Sequence, residues 1–302
     1  MANMTCNIDT GVCEVNLDFD ISNHTYVAPV VKDRVLIEYF TDPLCSACFI
    51  FEPVVEELLE LYGSKIDFRV VMGGLMPSND FSEEERKAMA KSIVATGERF
   101  NMGMSGKAML EDPVSSSYPA SLAYFAVKMQ DEAKALIYLR RLREAIYLEE
   151  LDISKEAVLK DLALELDLDI DRFMLDFYAP ETLALLEADI AYTIMNGVAG
   201  FPSIVIYDLN GKSVIVRSYN DIKIYMDALA KSLVYPDEKA PYTSDNVLVS
   251  TNYQSEREIM EKMNIYDSKI VHNAFDNNDK IMKLVVSDKN YYRLKAGERN
   301  EI

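Results

Sequence analysis

The stretch YFTDPLCSACFIFEP, residues 39–53, places two cysteines three positions apart where an apolar strand gives way to a helix. The run VLIEYFTD at residues 35–42 is β-branched and aromatic, which is typical of a buried strand. Apolar residues then recur at helical spacing as far as Tyr62, and a glycine follows as a stop signal. We therefore expect Cys45 and Cys48 to lie in the first turn of a helix that directly follows a strand.

The flanking sequence extends this pattern into an α/β fold. KIDFRVVMGG at residues 65–74 is typical of a second strand, and strand, helix and strand in succession indicate a βαβ unit with parallel strands. Residues 82–196 change to long segments of helical period, about five or six helices. The chain returns to strands at residues 201–208, followed by a turn, a further strand and a helix.

The position of Cys45 favours redox chemistry. A sulfur at the first turn of a helix faces unpaired N–H groups and the positive end of the helix dipole, which stabilise a thiolate. Cys45 is then the nucleophile, and Cys48, one turn further, attacks the mixed disulfide and releases the product. Two ordinary buried cysteines are the plainer interpretation, which the strand-to-helix junction disfavours.

Bulk composition excludes several classes of function. Of the 302 residues, 49% are hydrophobic, and no apolar run approaches the roughly 20 residues of a membrane span. A net charge of −19 repels phosphate backbones and anionic lipids, so we expect neither nucleic acid nor a membrane as partner. The N-terminal residues lack the basic start and apolar core of a secretory signal, which predicts a cytoplasmic protein.

Cys6 and Cys13 are the other two cysteines of the chain, and they lie in a segment, residues 1–33, that we interpret as a tail or an edge strand. They are either incidental or a secondary redox pair that exchanges with Cys45 and Cys48, because a tethered partner has a high effective concentration. A structural zinc site needs four ligands and would have to recruit both pairs. We predict no metal and no cofactor.

In its motifs the chain resembles the DsbA-like branch of the thioredoxin superfamily, in the group of FrnE-type dithiol oxidoreductases and SpxH (YjbH) adaptors of ClpXP. The resemblance covers residues 35 to about 233. It rests on VLIEYFTDPLCSAC, on Pro53 as the kinking proline of the active-site helix, on helical segments similar to the family's lid, and on GVAGFPS at residues 197–203.

The resemblance implies roles for further residues. Pro202 is expected to be cis and to face the disulfide, leaving the backbone of Phe201 free to pair with a substrate strand. Glu38 corresponds to the buried acid beneath the active site, where a raised pKa suits it to accept the proton of Cys48; otherwise it is a solvent-facing strand residue. The remaining candidates for substrate binding are Ser46, Ala47 and Pro43. Neither Ser46 nor Ala47 supplies a cation, which argues against strongly oxidising behaviour.

The implied fold is a DsbA-like thioredoxin domain at residues 34–234 with a multi-helix insertion at residues 80–196. The proline-rich and polar residues 235–246 are the best linker candidate. Residues 247–302 predict a small α+β extension: a strand (VLVS), a helix and a hairpin. Its acidic and basic residues are equal in number, which leaves no net positive charge, so a DNA-binding winged helix is not supported and a protein-contact element is expected.

Three functions fit these observations. The first is a thiol-disulfide oxidoreductase or isomerase acting on a protein or a small disulfide, which we favour at this stage. The alternative is an SpxH-like adaptor that captures a client protein for a protease, with a redox-responsive or dispensable C-x-x-C. Glutathione-dependent transferase chemistry, which uses a serine, is disfavoured by the intact cysteine pair. No heptad or exposed stripe indicates an oligomer, and the sequence leaves open whether the chain is a monomer or an oligomer.

Overall fold

The computed structural model describes residues 21–25, 29, 33–78, 80–111, 113–217, 221–248 and 252–295, together with the backbone of residues 3–7 and 12–16. The strands of this part of the chain are β1 (Asn3–Asn7), β2 (Val12–Asn16), β3 (Val35–Thr41), β4 (Ile66–Met72), β5 (Gly200–Phe201), β6 (Ser203–Tyr207), β7 (Ser213–Arg217), β8 (Gln254–Ser255), β9 (Ile281–Val286) and β10 (Lys289–Leu294). Its helices are α1 (Ser46–Tyr62), α2 (Glu83–Arg99), α3 (Tyr118–Gln130), α4 (Glu132–Tyr147), α5 (Glu156–Leu164), α6 (Ile170–Phe177), α7 (Pro180–Met195), α8 (Ile222–Lys231), α9 (Glu256–Met263) and α10 (Ser268–Phe275).

The central sheet has the strand order β4-β3-β6-β7. β3 runs parallel to β4 and antiparallel to β6, so the βαβ unit expected from the sequence is present. β3 is buried along nearly its whole length because the neighbouring strands flank it and helices cover both faces. The sheet and the helices that cover it form the α/β architecture expected from the sequence.

Helix α1 joins two hydrophobic cores. Phe51, Val55 and Leu58 pack against the β3 face that carries Ile37 and Tyr39. Phe49 and Ile50, on the other side of the same helix, belong to a second core formed chiefly by the inserted helices α2 to α6. This division follows from the helical period, which turns successive apolar residues toward different neighbours. Pro53 lies inside α1, and the helix continues beyond it.

The C-terminal unit is a three-stranded sheet, β8-β10-β9, with α9 and α10. It packs on the inserted helices through Tyr253, Val286 and Tyr291, and the Tyr291 hydroxyl donates to the Gly103 carbonyl oxygen at 2.8 Å. A Cβ at Gly103 would lie 1.9 Å from the Val286 carbonyl oxygen, so only glycine permits this approach.

Two details of this unit differ from the sequence prediction. Residues 247 and 248 of VLVS are not in a strand, and residues 249 and 250 lie outside the described residues. The side chains of Val247 and Leu248 instead pack in the small hydrophobic core of the unit, together with Phe275 and Tyr292. Helix α10 was not predicted, because its period spans only two turns.

The N-terminal strands form an antiparallel hairpin, β1–β2, which joins a separate sheet of order β1-β2-β5. β2 pairs antiparallel with β5, the two-residue strand directly before Pro202. β2 also lies close to α1, and β1 lies close to α2. The hairpin is therefore seated at the end of the central sheet where α1 begins.

Candidate functional site

Cys45 is the N-cap of α1, as the sequence predicts for the first cysteine of the pair. Its backbone is extended, and its sulfur accepts the Cys48 backbone N–H at 3.2 Å. Cys45 thus takes the capping position that serine or aspartate fills in other helices. Both cysteines are free thiols.

The Cys45 and Cys48 side chains are both fully buried. Cys45 and Cys48 are 0% exposed and share an apolar cluster with Ala47, Leu75 and Phe201. Ser46 and Pro43, which were expected to bind substrate, and Pro202, which was expected to face the disulfide, are also buried. In this state the site offers no open surface to a protein disulfide.

The two thiols differ in acidity. Burial raises the pKa of Cys45 well above its usual value, and the hydrogen bond and charge of Cys48 add to the increase. Burial also opposes ionisation of Cys48, but the hydrogen bond from Cys45 and the positive charge of Arg143 bring the pKa of Cys48 below its usual value. Of the two thiols, Cys48 therefore gives up its proton more readily than Cys45.

Arg143 is the buried cation of the site, and the sequence analysis missed it. Its guanidinium donates to the Thr41 hydroxyl at 2.5 Å and to the Asp42 carbonyl oxygen at 3.1 Å, and it pairs with Glu52 of α1. The available signal was the cluster of arginines at residues 140–143 in an otherwise apolar helix, since arginines inside a core need acidic partners.

Asp42, also missed, holds together the loops around the cysteines. Its carboxylate accepts the Leu44 and Leu75 backbone N–H groups, each at 2.8 Å, and the Ser117 hydroxyl at 3.0 Å. It thereby joins the end of β3, the segment after β4 and the start of α3. Burial raises the pKa of Asp42 despite these donors.

Glu38 is fully buried, which excludes the solvent-facing interpretation. Its carboxylate pairs with Arg69 at 3.2 Å and accepts the Tyr192 hydroxyl at 2.9 Å, while burial raises its pKa. Side chains alternate along a strand, so Glu38 lies on the opposite face of β3 from Tyr39, whose ring packs on Phe51 of α1. Proton transfer from Cys48 to Glu38 stays a prediction.

The segment before Pro202 is already paired. The Phe201–Pro202 peptide bond is cis. β2 lies antiparallel to Gly200 and Phe201, with Cys13 opposite Phe201. A Cβ at Gly73 would lie 1.9 Å from the Phe201 ring, so the ring occupies the space that glycine leaves at the end of β4.

The described residues contain no group of three or more histidine, cysteine or acidic side chains arranged to hold a metal ion. His272 pairs with Glu256 at 2.8 Å in the C-terminal unit. Within the same described ranges, no helix has the length and apolar character needed to span a membrane.

Comparison with known proteins places this geometry in context. The family model described as Thioredoxin matches residues 39–227. The chain is 28% identical over 246 residues to the ClpXP adapter protein SpxH of Halalkalibacterium halodurans, covering 78% of each chain. It is also 28% identical over 259 residues to the ClpXP adapter protein SpxH of Shouchella clausii, covering 84% of each.

Solved structures share the fold. A protein assigned as a protein disulfide isomerase from Nitrosomonas europaea superposes with a TM-score of 0.61 at 22% identity, over 66% of this chain and 98% of that one. The cytosolic disulfide reductase DsbM from Pseudomonas aeruginosa gives a TM-score of 0.52 at 22% identity, over 65% and 94%.

Proposed function

The chain belongs to the thioredoxin family, as a DsbA-like member with SpxH-type relatives, and from this premise we propose that it is a protein-binding adaptor that delivers a client protein to ClpXP. The sequence alone favours the oxidoreductase, whereas the buried state of the site and the named relatives favour the adaptor. We place this activity in the cytoplasm, where thiols are kept reduced.

The closed state of Cys45 carries the proposal. An attacking thiol needs thiolate character and access to its target. Cys45 is 0% exposed, and burial holds its pKa well above the usual value. The strand edge beside Phe201, where a substrate would pair, is occupied by β2. An adaptor needs the fold and its outer surface, and it has no need for an accessible sulfur.

One observation favours dithiol oxidoreductase activity as the second candidate. Cys45 caps α1 and Cys48 lies beside Arg143, an arrangement that serves thiol-disulfide exchange once the site opens. That activity requires β2 to leave Phe201 first.

The experiment is degradation of the client of the SpxH relatives by purified ClpXP, with and without this chain. We expect degradation to be at least several-fold faster with the chain. The Cys45→Ser/Cys48→Ser variant should accelerate degradation equally, because both sulfurs are buried and out of reach of a bound client.

Insulin reduction by dithiothreitol separates the two candidates, with a known thioredoxin as the positive control. The adaptor proposal expects turnover at background. Turnover well above background that disappears in Cys45→Ser/Cys48→Ser, together with unchanged client degradation, would instead assign the oxidoreductase activity.

A further inference from the structure

The register of the N-terminal hairpin aligns two cysteines with the site. Cys6 lies directly opposite Cys13 across β1 and β2, and Cys13 lies directly opposite Phe201 across β2 and β5. Residues that face each other on neighbouring strands occupy the same face of a sheet. Cys6, Cys13 and Phe201 therefore occupy one row of register positions across the three strands.

This register suits a disulfide within the hairpin. Facing residues of an antiparallel pair have Cα atoms about 4.5 or about 5.5 Å apart. Disulfides join cysteines whose Cα atoms are roughly 4.4–6.8 Å apart. Cys6 and Cys13 thus meet the distance requirement without movement of the backbone.

Phe201, at one end of this row, lies close to Cys45 and Cys48. Phe201 packs in one apolar cluster with Cys45 and Cys48. Cys13 is one strand away from Phe201, about 5 Å, and Cys6 is two strands away, about 10 Å. The closeness of β2 to α1 agrees with this placement. Of the two hairpin cysteines, Cys13 is the nearer to Cys45.

We propose that Cys6 and Cys13 are a second redox site, whose disulfide is the internal substrate of Cys45 and Cys48, and that Cys13 is the sulfur that Cys45 attacks. The hairpin pairs with β5 as an added substrate strand pairs with a sheet edge, but it belongs to the same chain. Tethering gives it an effective concentration on the order of millimolar or above. The inference is independent of client delivery, since it concerns the four cysteines alone.

The exchange balances within the chain once the hairpin is oxidised. A small disulfide such as oxidised glutathione first converts the Cys6 and Cys13 thiols to a disulfide and leaves as two thiols. In the form of the pair that carries one negative charge, Cys45 passes its proton to the Cys48 thiolate and attacks Cys13, which breaks the Cys6–Cys13 bond and releases Cys6 as a thiolate.

The second step closes the cycle. Cys48 passes that proton to Cys6 and attacks Cys45, which forms the Cys45–Cys48 disulfide and releases Cys13 as a thiolate. Two electrons have moved from the Cys45 and Cys48 pair to the hairpin. Proton count and charge are the same at the start and at the end.

The test follows all four cysteines of the reduced full-length chain after addition of oxidised glutathione, by acid quench, alkylation and peptide mass spectrometry. We expect the Cys6–Cys13 disulfide to form first and then to be replaced by Cys45–Cys48. In Cys6→Ser/Cys13→Ser, the Cys45–Cys48 disulfide should form at least tenfold more slowly. Equal rates in the two proteins would overturn the proposal.

Trapping identifies the attacked sulfur. In Cys48→Ser, the Cys13–Cys45 mixed disulfide should accumulate to at least ten times the amount of Cys6–Cys45. Predominance of Cys6–Cys45, or of glutathione on Cys45, would contradict the assignment.

A variant that keeps all four cysteines tests the role of strand pairing. Glu14, opposite Gly200, lies in the central strand of the hairpin sheet, where proline cannot be accommodated. In the Cys48→Ser background, Glu14→Pro should lower the yield of Cys13–Cys45 at least fivefold, while the matched control Glu14→Ala should not. An unchanged yield in Glu14→Pro would show that the register does not direct the exchange.

Discussion

Arg143 shows how one residue sets the electrostatics of the site. Its side chain is fully buried, and its contacts with Glu52, Thr41 and the Asp42 carbonyl offset the cost of removing a charge from water. The guanidinium lowers the pKa of Cys48, whereas the pKa of Cys45 is raised mainly by burial.

Replacement of Arg143 should therefore raise the pKa of Cys48. In a chain where Cys6, Cys13 and Cys45 are serine, we expect Arg143→Met to raise this pKa by about one unit or more, because the nearby positive charge is lost. The ultraviolet absorbance of the thiolate, titrated against pH, measures the shift.

Arg143→Lys is the matched control. Lysine keeps a charge but not the planar set of donors, so we expect a smaller increase in the pKa of Cys48. An equal pKa in Arg143→Met and in the parent chain would contradict the role given to the guanidinium. Circular dichroism establishes that each variant is folded.

The sequence predicts the site residues that lie in or beside a recognisable motif, and it does not predict those that come from distant parts of the chain. Cys45 and Cys48 are marked by a local pattern, Phe201 by the resemblance of GVAGFPS to a family segment, and the structure brings all three into one cluster. Arg143 reaches the site only through tertiary packing of α4 against α1, and no local pattern encodes that contact.

Helix α4 carries a buried ionic network across the molecule. Arg140 pairs with Glu52 of α1 at 3.1 Å, with Glu144 at 3.0 Å and with Glu258 of α9 at 3.0 Å. Arg141 pairs with Glu149 and Glu165. Helix α4 thus links α1 to the C-terminal unit through polar side chains that have little access to solvent.

Glu144 should make the stability of the fold depend on pH. Burial raises the pKa of Glu144 to about 8, against 4.5 for an ordinary glutamate, despite the nearby arginines. Between these values the folded chain keeps a proton that the unfolded chain releases. This stabilisation is complete below pH 4.5 and is lost as pH rises to about 8.

Urea unfolding from about pH 5 to about pH 8 measures this effect, with a slope of at most about 1.4 kcal/mol per pH unit for one proton. Glu144→Gln, which mimics the protonated carboxyl, should remove that part of the slope. Glu149→Gln, at another partner of Arg141, should retain it. Equal slopes in Glu144→Gln and the parent chain would contradict the proton uptake.

Elements with a strong period were predicted well, and those defined by tertiary pairing were not. β3, α1 and β4 agree with the sequence within a few residues, because burial on both sides imposes a clear pattern. α10 was missed, and the N-terminal hairpin was anticipated only as a tail or an edge strand. Its pairing with β5 joins residues far apart in the chain, which periodicity does not reveal.

The whole molecule combines the sheet, the inserted helices and the C-terminal unit in shared cores. Tyr253, Val286 and Tyr291 of the C-terminal unit lie in the same core as the inserted helices. Lys262 of α9 pairs with Glu56 of α1 at 2.7 Å. We therefore expect the C-terminal unit to unfold together with the rest of the chain.

Gly103→Ala tests this dependence. The new Cβ would collide with the Val286 carbonyl oxygen and push β9 away. We expect a loss of at least about 2 kcal/mol in the free energy of unfolding. Limited proteolysis should also cleave residues 235–246 several-fold faster than in the parent chain.

Ser244→Ala, an exposed change within residues 235–246, is the control and should leave both measurements unchanged. If Gly103→Ala matched the parent chain in stability and in proteolysis, close docking of the C-terminal unit would not contribute to the fold.

The contact between Gly73 and the Phe201 ring has a consequence for how this chain can evolve. The ring fills the volume that any side chain at residue 73 would need, so the two positions cannot drift independently. A larger residue at 73 becomes tolerable only after the aromatic ring at 201 has been exchanged for something smaller. Among homologous proteins, the two positions should therefore change in that order. Correlated substitutions at residues 73 and 201 would show when the packing next to the cysteines changed.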